Sequence, residues 1–293
     1  MSDSQSDHPV PTLSRGEIFI PDGADASAAL GRTTHLAIGA HADDLELFAF
    51  PAIAACWRSE ERHFTGITVT DGAGSSRTGP YAGFDDAAMV AVRRGEQRKA
   101  AVIGEYSAMI QLDHPSKVAR DPEATVIVDE LEALLAATRP RELFVHSPAD
   151  KHDTHVAVFL RTVRALRRLP SSLYPERVIG YEGWRDLDWL CDDDKVVLPA
   201  DRPANLAAAL AAVYDSQISG GKRYDLAALG RRRAHATFFE PRAADDHDAL
   251  CFGMDLTELV RDRTLTPTSL VKRLIDRFRS DALGRLRRLS GER

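Results

Sequence analysis

The sequence predicts an α/β protein: a mainly parallel sheet with helices on both faces, extended at its C-terminal end by further helices. Three observations carry this. From residue 35 to about 200, short apolar or β-branched runs alternate with stretches of helical spacing, as right-handed crossovers between parallel strands require. The chain has 293 residues and is 44% hydrophobic, enough for one large domain of this kind or two small ones. Beyond Pro203 the text turns helical, first Ala-rich and then Arg-rich.

Taken in order, residues 1 to about 15 are polar and are expected to be poorly ordered, and Gly16-Glu17-Ile18-Phe19-Ile20-Pro21 reads as an edge strand or an arm. A small-residue segment, Ala24 to Gly31, leads into a strand from His35 to Ala40. Pro51 suits the first turn of a helix, where its missing N–H costs nothing, and Ile53, Ala54 and Trp57 give that helix its apolar stripe. Phe64 to Thr70 is β-branched and aromatic, hence a strand, and the Gly/Ser-rich stretch Asp71 to Pro80 is a long loop. Asp86 to Gly104 is helical, with Arg93, Glu96 and Ala100 on one face and Gly104 as its stop. Tyr106 to Leu112 reads as a strand, Glu123 to Thr138 as a helix stopped by Arg139-Pro140, and Glu142 to His146 as a further strand. Val158, Phe159, Val163 and Leu166 then recur at helical spacing, which places His155 in the first turn of a helix near its buried edge. Arg177 to Tyr181 and Lys195 to Leu198 complete the strands, and the whole makes a Rossmann-like arrangement. Asn205 to Ser216 and Arg223 to about Thr237 are helical, and Asp245 to Met254 and an Arg-rich end follow. Residues 261–293 hold ten Lys/Arg against four Asp/Glu. With Leu270, Leu274 and Phe278 at helical spacing, that end reads as an amphipathic helix covering the body or a dimer partner, in preference to a site for an acidic partner.

A net charge of −6 and a pI near 5.9 argue against nucleic acid as a partner, because phosphate binding relies on clustered positive charge. Cys56, Cys191 and Cys251 are odd in number and widely spaced, so neither a disulfide framework nor a thiolate zinc site is expected. The first ten residues lack the basic and apolar regions of a signal peptide, and the chain lacks an apolar run of about 18 residues. A cytoplasmic protein acting on a small molecule, with a homo-oligomer open to it, is the expectation.

Chemistry concentrates at two strand ends. The run from His35 stops at His41-Ala42-Asp43-Asp44, and that from Glu142 opens into Asp150-Lys151-His152-Asp153-Thr154-His155. In a parallel α/β sheet both loops lie at the carboxyl edge, so their distance in sequence is no obstacle to a shared site. His41, Asp44 and His155 make a two-histidine, one-carboxylate set for a catalytic zinc with an open position for water. Asp43 is left free to take a proton from that water, and His152 to protonate a leaving group or stabilise an oxyanion. The structural alternatives are helix capping by Asp43 or Asp44, solvated or capping roles for His152 and His155, and a surface ion pair for Arg93 with Glu96.

These residues resemble the PIG-L/LmbE-like N-acetylglucosaminyl deacetylase family over residues 35 to about 160. Ala40-His41-Ala42-Asp43-Asp44 is similar to its His-Pro-Asp-Asp motif, Thr70-Asp71-Gly72 to its threonine-glycine loop, Arg93-x-x-Glu96 with Ala100 and Gly104 to its middle helix, and Asp150-x-His152-x-x-His155 to its second metal motif. The resemblance implies one Zn2+ per chain, or another divalent ion, on His41, Asp44 and His155. It implies Asp43 as general base, His152 as acid or oxyanion stabiliser, and Arg93 on the substrate; Asp150 is expected to contact substrate or to orient His152. The implied reaction removes an N-acetyl group from an N-acetylglucosamine-type sugar or conjugate. The alternatives are another amide conjugate, mycothiol-like or antibiotic, and a non-catalytic sugar- or metal-binding module. Residues 1–30 would then be an arm, 31–256 the deacetylase domain and 257–293 a basic helical extension. Two departures stand out: Ala42 replaces the family's proline, and Thr154 stands where an aspartate usually adjoins the last ligand. No tyrosine lies in the Asp150 loop, so a phenolic donor would have to come from elsewhere, with Tyr81 and Tyr181 as candidates.

Overall fold

In the computed structural model, which describes residues 10–291, the apolar run at 35–39 becomes a buried central strand. The first nine residues, expected to be poorly ordered, lie outside the described part. β1 (Glu17–Phe19) and α1 (Ala26–Gly31) precede the central strand, β2 (His35–Gly39). α2 (Asp44–Phe48) and α3 (Phe50–Cys56) lead to β3 (Phe64–Thr70), and α4 (Asp86–Ile103) to β4 (Ala108–His114). α5 (Ser116–Arg120) and α6 (Val126–Thr138) return the chain to β5 (Glu142–His146), and α7 (Asp153–Arg168) to β6 (Arg177–Tyr181). Then come β7 (Lys195–Pro199), α8 (Ala204–Ala212), α9 (Asp215–Ile218), α10 (Tyr224–Phe239), β8 (Leu250–Asp255), α11 (Thr257–Arg261) and α12 (Pro267–Ser290).

Among the described residues the strands form one sheet in the order β1-β4-β3-β2-β5-β6-β8-β7. The five from β4 to β6 are parallel, whereas β1 and β8 run antiparallel to their neighbours. The parallel sheet expected over 35–200 is therefore extended at both edges by antiparallel pairs. β8, which the sequence left without an element, slots between β6 and β7. Its run Leu250-Cys251-Phe252-Gly253-Met254 is apolar without alternation, so periodicity could not separate a buried strand from a piece of helix. β4 starts two residues later than expected, after a turn in which Glu105 takes a left-handed φ of 53°. The helix expected over 205–216 breaks at Val213 and Tyr214, because Ser216 bonds instead to Glu96: its N–H and its hydroxyl each donate to the carboxylate at 2.7 Å.

Side chains alternate across the buried strands. Leu36, Ile38, Ile67 and Val69 meet Leu131, Val158 and Phe159 on one face. Ala37, Phe64, Met109 and Phe144 meet Leu45, Phe50, Ile53 and Tyr106 on the other. Each fully buried Leu, Ile or Phe contributes about 1.5–3 kcal/mol, so the sheet is a rigid base for the loops at its carboxyl edge. β3 and β4 are laid down on one side of β2, and β5 and β6 on the other. The crevice beyond Gly39 and His146 is thus the point where strand order reverses, where open α/β sheets bind ligands.

The short helix α2 is held over this crevice by a buried polar cluster. The Glu46 Oε1 accepts from Tyr106 Oη at 2.6 Å and Gln97 Nε2 at 2.8 Å, and Arg232 donates to the Glu46 and Leu47 carbonyls at 2.7 and 2.9 Å. Burial raises the Glu46 pKa, so the folded state holds this proton more tightly than the unfolded one. The stability it contributes is present below the unfolded pKa and is lost as pH rises through the raised value. Glu46→Gln, which removes the ionisable group and keeps an acceptor, is expected to leave urea stability at pH 7 equal to or above the parent's and to flatten its fall between acid and neutral pH. Glu46→Ala strands the Tyr106 and Gln97 donors and should cost about 2–4 kcal/mol.

Candidate metal centre

The loop after β2 is fixed before any ligand is considered. The Ala40 carbonyl accepts from both the N–H and the hydroxyl of Thr70, at 2.9 and 2.7 Å, which ties the end of β2 to the end of β3. Asp43 takes a φ of 97°, a region that L residues other than glycine adopt at a cost of about 1–3 kcal/mol. It occupies the N-cap position of α2 without a side-chain capping bond. Asp44, the first residue of α2, turns back along the chain: its Oδ2 accepts the N–H groups of Ala40 at 2.9 Å and His41 at 2.7 Å.

From the other loop, His152 caps α7 and His155 sits in its first turn. Donor atoms of three residues then converge. His155 Nε2 lies 3.2 Å from His41 Nδ1 and 3.5 Å from Asp44 Oδ1, and His41 Nδ1 lies 3.4 Å from Asp44 Oδ2. Donors bound tetrahedrally to zinc at about 2.0–2.1 Å stand about 3.3–3.4 Å apart, a spacing these pairs approach, with the two histidines meeting different oxygens of Asp44. His41, His152 and His155, and likewise Asp44, His146 and His155, each bring three donor atoms within 4.8 Å of one another, so the chemistry of the donor set fits a divalent ion. The charge balance agrees. Burial lowers the His155 pKa, but Asp44 and Asp150 overcome it and raise the imidazole above its ordinary value, a surplus of negative charge that attracts a cation. Burial likewise pushes Asp44 up, and the neighbouring His155 and His146 overcome it and hold the carboxyl well below the usual range.

Asp43 is a different kind of carboxylate. Burial is the main influence and pushes its pKa up to about 6, with Arg93 opposing and Asp44 adding to the rise. Arg93, expected to hold substrate, is 3% exposed and spends its guanidinium inside the protein. Nη2 donates to Asp43 Oδ2 at 3.0 Å and to the Ala42 carbonyl, and Nη1 to Glu96 Oε2 and Ser216 Oγ, both at 3.2 Å.

Asp150, expected to meet substrate or to orient His152, is also taken up internally. Its Oδ2 pairs with His155 Nδ1 at 3.1 Å and accepts the Gly183 N–H at 3.2 Å, while Oδ1 accepts the His152 N–H at 3.0 Å. A carboxylate on the far nitrogen of a histidine fixes its tautomer and raises its basicity. The aspartate missing at Thr154 is thus matched by one four residues earlier. His152 Nδ1 accepts the Thr154 N–H at 3.2 Å, which leaves the ring proton on Nε2. Burial, and then the charges of His155 and His41, lower its pKa to about 4, so the ring is neutral at pH 7.

Sequence reasoning passed over His146. It ends β5, is fully buried, lies with Nε2 3.2 Å from Asp44 Oδ2 and 2.9 Å from the Ala40 nitrogen, and stacks on His155 at 3.9 Å. Burial and the neighbouring His155 lower its pKa to about 4. The one available signal was its position as the last residue of an apolar strand at the carboxyl edge. The tyrosine expectations also change. Tyr181 is buried with its hydroxyl donating to the Ile38 carbonyl at 2.7 Å, and Tyr81 donates to Asp215 at 2.6 Å. Tyr224 lines the cavity in their place.

The cavity over the centre measures about 640 Å³. Gly72 to Ser76 form part of its rim, and Phe48, Trp184 and Tyr224 form an aromatic wall. Trp184 is 40% exposed and stacks toward His152 at 6.3 Å.

Residues 36–166 match the family PIG-L: GlcNAc-PI de-N-acetylase. No curated protein matches the chain significantly. Among solved structures, a conserved protein from Thermus thermophilus is 21% identical, with 76% of this chain and 94% of that one covered and a TM-score of 0.59. The 4-carboxy-2-hydroxymuconate hydratase from Pseudomonas putida is 17% identical, with 76% and 96% covered and a TM-score of 0.58. The N,N'-diacetylchitobiose deacetylase from Pyrococcus horikoshii is 14% identical, with 78% and 86% covered and a TM-score of 0.59. These likenesses are likenesses of fold, and the match to the PIG-L family, over residues 36–166, covers both loops of the centre.

Proposed function

We propose that this protein is a divalent-metal-dependent N-deacetylase acting on an N-acetylated sugar or its conjugate, with zinc the expected ion. The observation that carries this is the triangle of His41, Asp44 and His155 donors beside a fourth group, Asp43, whose pKa of about 6 suits a general base. The PIG-L match and the deacetylase among the fold neighbours support the reaction class. The hydratase on the same fold shows that architecture alone does not choose the chemistry.

His41, Asp44 and His155 would hold the ion, Asp150 fixing the tautomer of His155 and His146 backing Asp44. A bound divalent cation supplies a Lewis acid for the amide carbonyl and lowers the pKa of water to about 7. Asp43, ionised at neutral pH and aimed by Arg93, takes the proton from water as its oxygen attacks the acetyl carbon. The neutral His152 donates its Nε2–H to the developing oxyanion, a role that its lowered pKa favours over that of an imidazolium acid. The proton held by Asp43 then passes to the nitrogen as the C–N bond breaks, leaving a free amine and acetic acid, which releases its proton to water. Arg93 acts through Asp43. A cavity of about 640 Å³ lies well within the range that encloses drug-sized ligands, which favours a conjugate over a single sugar ring.

The test is to measure bound metal and to assay N-acetyl sugars and glycoconjugates for released amine. Asp43→Asn should lower kcat by about 10²–10⁴-fold with metal content unchanged, and His155→Ala should lose the metal together with the activity. A parent protein that takes up no divalent ion under any loading condition contradicts the proposal. Within the same reading, His146→Phe should weaken metal affinity by about 10–100-fold and lower urea stability as well, because the buried Asp44 carboxylate loses a partner; unchanged affinity would mean that His146 does not support Asp44.

A further inference from the structure

We propose that the C-terminal half of α12 is an interaction surface for an anionic lipid bilayer. The helix begins as part of the body: Leu270 and Leu274 are buried, and Arg277 pairs with Asp194 at 2.7 Å. Phe278, expected to continue that packing, is 41% exposed. It belongs to a second stripe, Val271, Ile275, Phe278, Ala282, Leu286 and Leu289, whose steps of four, three, four, four and three residues follow one face of a straight helix. Exposure along it rises to 63% at Leu286 and 78% at Leu289.

The charges around this stripe name the occupant. α12 carries seven Lys/Arg against two Asp, in a chain whose net charge is −6, so this helix is positive in a negative chain. On the helical wheel Arg279 and Arg285 flank the apolar stripe on opposite sides. Arg287 and Arg288 make no ion pair among the described residues. A second copy of the helix in parallel register would bring these arginines against their own kind. Nucleic acid would use the arginines and leave the leucines in water. An anionic bilayer uses both, with apolar side chains below the headgroups and arginine stems reaching up to phosphate. The helix is also complete in itself, with a capping box at Thr266 and Ser269 and a left-handed Gly291 at its end. No helix among the described residues is long and apolar enough to cross a membrane, so α12 would lie in the interface plane.

The experiment is cosedimentation of the full chain with vesicles of phosphatidylcholine alone or mixed two to one with phosphatidylglycerol. Binding to the mixed vesicles only, weakened by salt, is the expected result. The double substitution Leu286→Asp and Leu289→Asp should lower it at least about tenfold, while Phe238→Asp, at an 82% exposed position on α10, should leave it unchanged. Absence of vesicle binding, equal binding to neutral vesicles, or unaltered binding of the double variant each overturns the proposal. A parent dimer that the double variant converts to monomer, without vesicle binding, assigns the stripe to a second copy of the chain.

Discussion

The carboxylate of Asp44 is the group on which the rest of the centre depends. It is buried, and a buried charge costs several kcal/mol unless its surroundings return that energy. Here the return comes from two backbone N–H groups and three imidazoles contributed by both loops. Satisfying Asp44 therefore means bringing the end of β5 and the start of α7 against the end of β2. The same contacts bring the donor atoms of His41, Asp44 and His155 together.

The two adjacent aspartates illustrate how environment divides identical side chains. Asp44 faces imidazoles and is held in its charged form, while Asp43 is desolvated beside a single arginine and sits near neutrality. The left-handed turn at Asp43 separates them, sending one carboxylate to the donor set and the other toward Arg93. That turn is supported from below by Gln97, whose Oε1 accepts the Asp43 N–H at 3.3 Å, and through Gln97 by the buried Glu46 cluster. The strained residue is thus the first link of a polar chain running into the core.

Much of this was legible in the sequence. Strand-length apolar runs ending in ionisable residues identified β2 and β5, and the carboxyl-edge rule brought together loops that lie 114 positions apart. What could not be read was direction. Nothing in Asp150-x-His152-x-x-His155 says that the Asp150 carboxylate turns onto His155, because that depends on the turn between Ser147 and His152. Arg93 was expected on the substrate, with a surface ion pair to Glu96 as the alternative; only the packing of α4 against the α2 loop shows both residues to be buried. His146 was hidden as the last residue of an apolar strand, and β8 by the lack of alternation in a strand buried on both faces. In each case the local pattern was correct, and tertiary context decided which way a side chain faced.

Where a metal ion sits on this protein is the most direct test. Anomalous diffraction at the zinc edge from crystals of the metal-loaded protein should give one peak bridging His41 Nδ1, Asp44 and His155 Nε2, with Asp43 beside it and unbound. A peak held by other residues, or a fully loaded protein in which His155 remains hydrogen-bonded to His41 with no ion between them, would contradict that placement.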